Sequence, residues 1–321
     1  MELTEYKAVF LDFLNQKIKV KEPINLYQPI NYILQIGGKR LRPVICLKAC
    51  ETFSGEYKNA LPAALSIEVF HNFTLLHDDV MDHADMRRGK QTVHKKWNLN
   101  TAILSGDAML ILAYQFLEKY KGETYKSIMQ IFNKTALQVC EGQQYDVDFE
   151  TQTNVSIADY IKMITLKTAV LLASSMEIGA LIGNASKQDA NKMYAFGLNL
   201  GIAFQLQDDY LDTFGNASTF GKKIGGDIIE NKKTFLYLKL QELLSDEDKK
   251  IVKELYNQQD EQTKIDGITA LFVKYDIPEL TLAEIKKYTE IAYLSLKELS
   301  ISEKLKEQWM QFGEELMQRN V

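Results

Sequence analysis

The sequence of 321 residues is 46% hydrophobic and 25% charged, ordinary globular proportions that exclude a disordered or fibrous chain. Its 38 Lys plus Arg against 43 Asp plus Glu leave a net charge of −5, so no overall basic field exists to hold nucleic acid. Three cysteines are too few for a disulfide framework and suit a reducing cytoplasm, with Cys46 and Cys50 expected in the core.

The chain opens on Leu3, Tyr6, Phe10, Phe13 and Leu14 at helical spacing, which predicts an amphipathic first helix. Glu2, Glu5 and Asp12 stand where a signal peptide would need a basic start and an apolar run. The longest uncharged stretch, Met193 to Gln207, is shorter than the roughly 20 residues of a bilayer span, so no transmembrane segment is expected. Prolines stand at 23, 29, 43, 62 and 278, and none falls between Ala63 and Ile277. Proline breaks helix interiors, so that interval is what consecutive helices would leave. Alternating strands and a Gly-x-Gly-x-x-Gly turn are missing, and no Pro/Gly/Ser linker divides the chain. These features predict an all-α fold in one domain over residues 1–321.

Residues 60–76 (ALPAALSIEVFHNFTLL) are apolar around most of a helix circumference, which predicts a central, buried helix. It ends in Asp78-Asp79-Val80-Met81-Asp82, where Asp78 and Asp82 share a face at a side-chain spacing of roughly 5–6 Å. Two like charges on an apolar helix are costly unless something compensates them, and Mg²⁺, which takes one or two carboxylates and fills its shell with water and phosphate oxygens, is suited to that. The pattern recurs as Asp208-Asp209-Tyr210-Leu211-Asp212 after another apolar stretch. One such cluster reads as well as a solvated helix end; two point to a metal-assisted phosphate chemistry.

Cations supply the other half of a phosphate site. Gly37-Gly38-Lys39-Arg40-Leu41-Arg42 places three of them beside a flexible glycine pair, and Arg87-Arg88-Gly89-Lys90 lies close enough to Asp82 to fold back over bound phosphates. His71, seven residues before Asp78, lies on nearly the same face, although a hydrogen-bonded core histidine fits there equally well. Gly215, Gly221, Gly225 and Gly226 mark a loop that can serve as a lid. The charge-rich stretch beyond Lys239 reads as solvated helices without chemistry. Rival sites fail on the residues: a di-iron bundle needs two Glu-x-x-His motifs and only Glu68 to His71 supplies one, and Val80 and His83 break a calcium loop. A helical phosphohydrolase built on His77-Asp78 leaves the second acidic pair and the GGKRLRP loop without a use.

In order along the chain, GGKRLRP, LLHDDVMDHADMRRG, GQQYD (142–146), Lys167-Thr168, FQLQDDYLDTFG, GKKIGGD and Asn231-Lys232 resemble the trans-isoprenyl diphosphate synthases, or polyprenyl synthetases, over roughly residues 35–235. Terpene cyclases share only one of the acidic motifs. The resemblance implies a bundle of ten or more helices around a deep central cavity (the type I isoprenoid synthase fold), usually homodimeric, with the acidic motifs facing each other across its mouth. It implies an enzyme that joins an allylic diphosphate to isopentenyl diphosphate. By resemblance, Asp78, Asp82, Asp208 and Asp212 bind three Mg²⁺. Arg87, Lys167, Lys222 and Lys232 hold the allylic diphosphate, and Lys39, Arg42, His71 and Arg88 hold isopentenyl diphosphate. Thr168 and Gln205, with Lys167, form the catalytic group whose oxygens face the allylic cation. The chain departs from the family spacing at Gly221-Lys222-Lys223-Ile224, which leaves open whether Lys222 or Lys223 meets phosphate.

Phe73 lies about 7.5 Å down the helix from Asp78, where a growing product would meet it. The family shortens its product with an aromatic residue at that place, and Thr74 beside it is smaller than the second aromatic of many farnesyl synthases. A short product is expected, C20 ahead of C15. A non-catalytic subunit of a two-component synthase is the competing role, against which both acidic motifs are intact.

Overall fold

The computed structural model describes residues 2–216 and 224–317. It is helical almost throughout, as the proline-free interval predicts, and clusters into two compact units.

The first unit holds Met1–Asn133 and Ser174–Asn191. Helix α1 (Leu3–Lys17) starts with a reciprocal cap in which the Glu2 backbone N–H donates to the Glu5 carboxylate at 2.8 Å, and it buries Tyr6, Phe10 and Leu14, the predicted stripe. Helix α2 (Ile24–Gln35) continues through Pro29, against the expectation that proline marks boundaries. Pro43 and Pro62 sit in the first turns of α3 (Leu41–Ser54) and α4 (Leu61–Met81), where no amide donor is needed. Helix α4 is buried on nearly all sides. Beyond it the chain makes a short antiparallel hairpin, β1 (Met86–Arg87) with β2 (Lys90–Gln91), an element the sequence analysis did not foresee. Its two turn residues, Arg88 and Gly89, have φ of 52° and 73°, the left-handed pair that a two-residue hairpin turn requires.

Helices α5 (Val93–Lys96) and α6 (Leu99–Leu117) follow, and α6 runs along α4. Ser66 on α4 donates to the Ala113 carbonyl at 2.7 Å near one end, and the His77 ring lies 3.3 Å from the Ile103 carbonyl near the other. The start of α7 (Gly122–Thr151) supplies Phe132, whose ring meets Phe70 edge-on at 5.4 Å and Tyr114 at 5.1 Å. Cys46 and Cys50 are fully buried, as expected.

The second unit holds Lys134–Ala173 and Lys192–Val321. Helix α8 (Ile157–Ile164) is capped by Ser156 and Asp159, and is followed by a π-helical turn, Thr165–Ala169, before α9 (Val170–Ile182). Helix α10 (Lys187–Phe214) carries the second acidic motif. The run Ile157–Ile182 is long and apolar enough by composition to cross a bilayer, longer than the stretch singled out from sequence, but 67% of its most apolar window is buried in the protein. A short helix, Gly226–Ile229, and five longer ones from Phe235–Leu243 to Glu303–Met317 complete the unit. The charge-rich segment is less solvated than its composition predicts. Asp248 is buried and takes hydrogen bonds from Lys274 (2.6 Å) and Tyr275 (2.5 Å), and buried Lys264 donates to the Ile229 carbonyl at 2.9 Å.

Candidate active site

In the first unit, α4 presents His71, Phe73, Thr74, Asp78 and Asp82 from one rod. The Asp82 amide donates to the Asp78 carbonyl at 2.9 Å, so the two outer carboxylates stand one helical turn apart. Asp79 is a third of a turn round the helix and buried. Arg87 folds back from the hairpin, donating through Nε to Asp79 Oδ1 at 2.7 Å and reaching Asp78 Oδ2 at 3.4 Å. Burial raises the Asp79 carboxyl above its ordinary pKa, against the lowering effect of Arg87.

A second cluster surrounds His71. Arg40, at φ 55° before α3, forms a buried ion pair with Glu68 at 2.5 Å, and Asn72 Nδ2 donates to the same Glu68 oxygen at 3.1 Å. Arg42 Nη1 donates to His71 Nε2 at 3.2 Å. An arginine can only donate, so His71 is the neutral tautomer with its proton on Nδ1. Burial, then Arg42, Arg88, Arg87 and Arg40, hold His71 well below its ordinary pKa. Arg88 donates to the Gly37 carbonyl, and its guanidinium lies where a Cβ at Gly38 would be, so the glycine pair lets the hairpin close onto this loop. Arg42 Nε is buried without a hydrogen-bond partner. Among the described residues, then, Glu68 answers Arg40 while Arg42 and Arg88 turn to neutral groups. Such a pairing of guanidiniums with neutral groups suits an anion. Lys39 lies exposed at its edge.

Below the acidic turn, Phe73 is 8% exposed and packs against Phe70 (5.7 Å) and His77 (4.8 Å). Thr74 Oγ1 donates to the His71 carbonyl at 2.8 Å.

In the second unit, α10 presents Gln205, Asp208, Asp209 and Asp212. Asp212 Oδ2 accepts from the Asp227 amide at 2.9 Å, which ties the end of α10 to the start of the Gly226–Ile229 helix. Lys232 then pairs with Asp227 (3.4 Å) and Glu230 (2.8 Å); although burial opposes its charge, these carboxylates raise its pKa. Lys167 lies in the π-turn and pairs with Asp146 of α7 at 2.5 Å. A Cβ at Gly142 of α7 would collide with the Lys167 backbone, and one at Gly201 of α10 with Ala169, so two glycines bring helices up against that turn. Thr168, on the same turn, donates through Oγ1 to Gln205 Oε1 at 3.2 Å, and Gln205 Nε2 donates to Asp209 Oδ1 at 3.0 Å. The Tyr160 hydroxyl donates to the other Asp209 oxygen. Burial, then Asp227, raises the Asp209 carboxyl well above its ordinary pKa, with Asp208 adding to it.

The predicted residues therefore assemble within each unit, apart from Lys222 and Lys223, which with the proposed lid lie largely or wholly outside the described residues. Sequence reasoning missed Glu68, Asp79, Asp146, Asp209 and Asp227 as partners of the cations and amides. A charge inside an apolar run marks Glu68, and the quoted GQQYD segment contains Asp146. No sequence signal marks Tyr160, which reads as an ordinary core aromatic. Among the described residues no three or more His, Cys, Asp or Glu converge as a closed metal cage. Pairs of carboxylates one turn apart fit Mg²⁺, which keeps water and takes phosphate oxygens, better than a metal that demands a full protein shell.

The chain is similar to known proteins over nearly its whole length. The sequence model of polyprenyl synthetases matches residues 23–271. A geranylgeranyl diphosphate synthase of Saccharolobus solfataricus is 34% identical over 319 residues, covering 97% of this chain and 96% of that one. A crystal structure of a geranylgeranyl pyrophosphate synthase superimposes with a TM-score of 0.95 at 46% identity over all of both chains. Another, from Corynebacterium glutamicum with isoprenyl diphosphate and magnesium, gives 0.89 at 26% identity, also over all of both chains. With the helical architecture and both acidic turns in place, the chain belongs to the polyprenyl synthetase family.

Proposed function

We infer that the protein is a short-chain trans-prenyltransferase that condenses isopentenyl diphosphate with dimethylallyl, geranyl or farnesyl diphosphate and delivers mainly a C20 all-trans product. The buried guanidinium of Arg42, beside Arg88 and neutral His71 and without a carboxylate of its own, is the observation that carries this reading. Such a cluster is stable when an anion of high charge completes it. Arg42, His71, Arg88 and Lys39 hold isopentenyl diphosphate. Arg87, Lys167, Lys232 and Lys222 or Lys223 hold the allylic diphosphate, which the names and bound ligands of the relatives support.

Asp78, Asp82, Asp208 and Asp212 would bind Mg²⁺, three ions in each active site, which neutralise the negative charge that gathers on the leaving diphosphate. The allylic carbon–oxygen bond breaks with its electron pair on diphosphate, and the isopentenyl double bond forms the new carbon–carbon bond. Thr168 and Gln205 offer oxygen dipoles to the allylic cation, and neither captures it covalently. The departing diphosphate takes the proton that restores a double bond, so no side-chain base is needed.

The C20 preference rests on Phe73 as the floor of the product channel with the small Thr74 beside it, and on the names of the relatives. Residues 1–321 form a single polyprenyl synthetase domain in this reading, which the family match across residues of both units supports. The protein acts as a cytoplasmic homodimer, a proposal supported by exposed Leu99, Ile103, Leu104 and Ile111 on α6. Purified protein with Mg²⁺, isopentenyl diphosphate and labelled allylic primers tests the function. Predominantly C20 product is expected; no elongation, or mainly C30 and longer chains, overturns it.

A further inference from the structure

In the second acidic motif the middle carboxylate does something different from its neighbours. Gln205 and Asp209 stand one turn apart on α10, as do Asp208 and Asp212 beside them on the same stripe. We propose that Asp209, held by Tyr160, is a positioning residue that keeps the Gln205 amide nitrogen turned inward and its oxygen toward Thr168. This rests on the reading of Gln205 and Thr168 as the groups that face the allylic cation.

A glutamine amide has two ends of equal size and opposite polarity, and packing alone does not choose between them. The choice decides the chemistry, because an oxygen stabilises a nearby cation and an NH₂ group repels it. Here the hydrogen bonds choose. Tyr160 donates to one oxygen of Asp209, and Gln205 Nε2 donates to the other at 3.0 Å. Gln205 Oε1 is then the end that meets Thr168 Oγ1, at 3.2 Å. Every anchor is fixed: Tyr160 is 2% and Asp209 7% exposed, and Thr168 rides on the turn that Gly142 and Gly201 confine. The arrangement commits both Asp209 oxygens to protein donors, so the motif supplies two groups for metal and one that sets an orientation.

Paired substitutions test it, with rates measured on isopentenyl and geranyl diphosphates in Mg²⁺ and normalised to the folded fraction. In Asp209→Asn, the Tyr160 hydroxyl still needs an acceptor and takes the new amide oxygen, leaving the new NH₂ facing Gln205. The Gln205 amide then turns over and presents its own NH₂ toward Thr168. The expected loss in kcat is about tenfold to a hundredfold, with KM for both diphosphates and the Mg²⁺ requirement within twofold. Adding Tyr160→Phe frees the introduced amide to rotate and offer its oxygen to Gln205, so the double variant regains several-fold in kcat. It has one hydrogen bond fewer, so a gain in stability does not explain that recovery. Unchanged kcat in Asp209→Asn, a raised Mg²⁺ requirement, or no recovery in the double variant overturns the proposal. Gln205→Leu separates the two levels. If it leaves kcat unchanged, the role of Gln205 itself fails; if it lowers kcat while Asp209→Asn does not, only the positioning role fails.

Discussion

The substitution His71→Gln should flatten the acid limb of the stability curve. In the native protein Nε2 accepts from Arg42 at 3.2 Å, and burial and four arginines hold the imidazole well below its unfolded value of about 6.5. The unfolded chain takes up a proton below about pH 6.5 that the native state refuses. A base depressed on folding therefore withdraws stability as pH falls, beginning at the unfolded pKa and continuing until the folded pKa is reached. A histidine that stays neutral in the folded protein down to pH 5.5 withdraws about 1 kcal/mol of stability between pH 7 and pH 5.5. The His71→Gln variant brings its side-chain carbonyl to where Nε2 stood, so it retains an acceptor for Arg42 and has no proton to exchange at that position. Urea melts of both proteins at pH 7 and pH 5.5 give the comparison: the wild type should lose about 1 kcal/mol more than the variant over that interval. Equal losses would mean that His71 titrates normally in the folded protein, and the neutral hydrogen-bonded tautomer would be wrong.

Two further outcomes follow from α4. Phe73→Ala should lengthen the product by one or more isoprene units in the product-length assay, and no lengthening removes Phe73 from the channel floor. Asp79→Asn exchanges the charge-assisted bonds to Arg87 for weaker neutral ones, a loss of about 1–2 kcal/mol; KM for the allylic primer should rise about five- to thirtyfold, which initial-rate kinetics read directly.

What was legible in the sequence followed from one-dimensional spacing. The stripe Tyr6, Phe10, Leu14 and the all-round apolar run before Asp78 place their helices because a helix converts spacing into a face. The acidic pairs at i and i+4 are legible for the same reason. The π-turn at Thr165–Ala169 is not, since nothing local marks it: its setting is the close approach of Gly142 and Gly201, which lie far from it in sequence. The partners of the cations, Asp146 for Lys167 and Glu68 for Arg40, were missed because each pair is set by tertiary packing across 21 and 28 residues. The buried Asp248 and Lys264 show the converse error. Composition made that segment look solvated, whereas each charge is held by a donor or carbonyl on another element.

The two acidic motifs have the same spacing, and helical geometry divides each in the same way. The first and last carboxylates lie one turn apart, and the middle one, turned about 100° from the first, is buried in both motifs, as Asp212 is too. What the middle residue meets differs. Asp79 meets the guanidinium of Arg87, so its charge sets where that cation, proposed above to hold phosphate, stands. Asp209 meets the amide of Gln205 and the hydroxyl of Tyr160, so it sets the direction of a dipole. Under the proposed function, a shift of Arg87 changes how firmly a diphosphate is held before reaction, because the cation meets charge already present in the ground state. A reversed Gln205 amide matters chiefly once positive charge has formed on carbon. Loss at Asp79 should therefore appear mainly in KM and loss at Asp209 mainly in kcat, and the identical spelling of the two motifs conceals that division of labour.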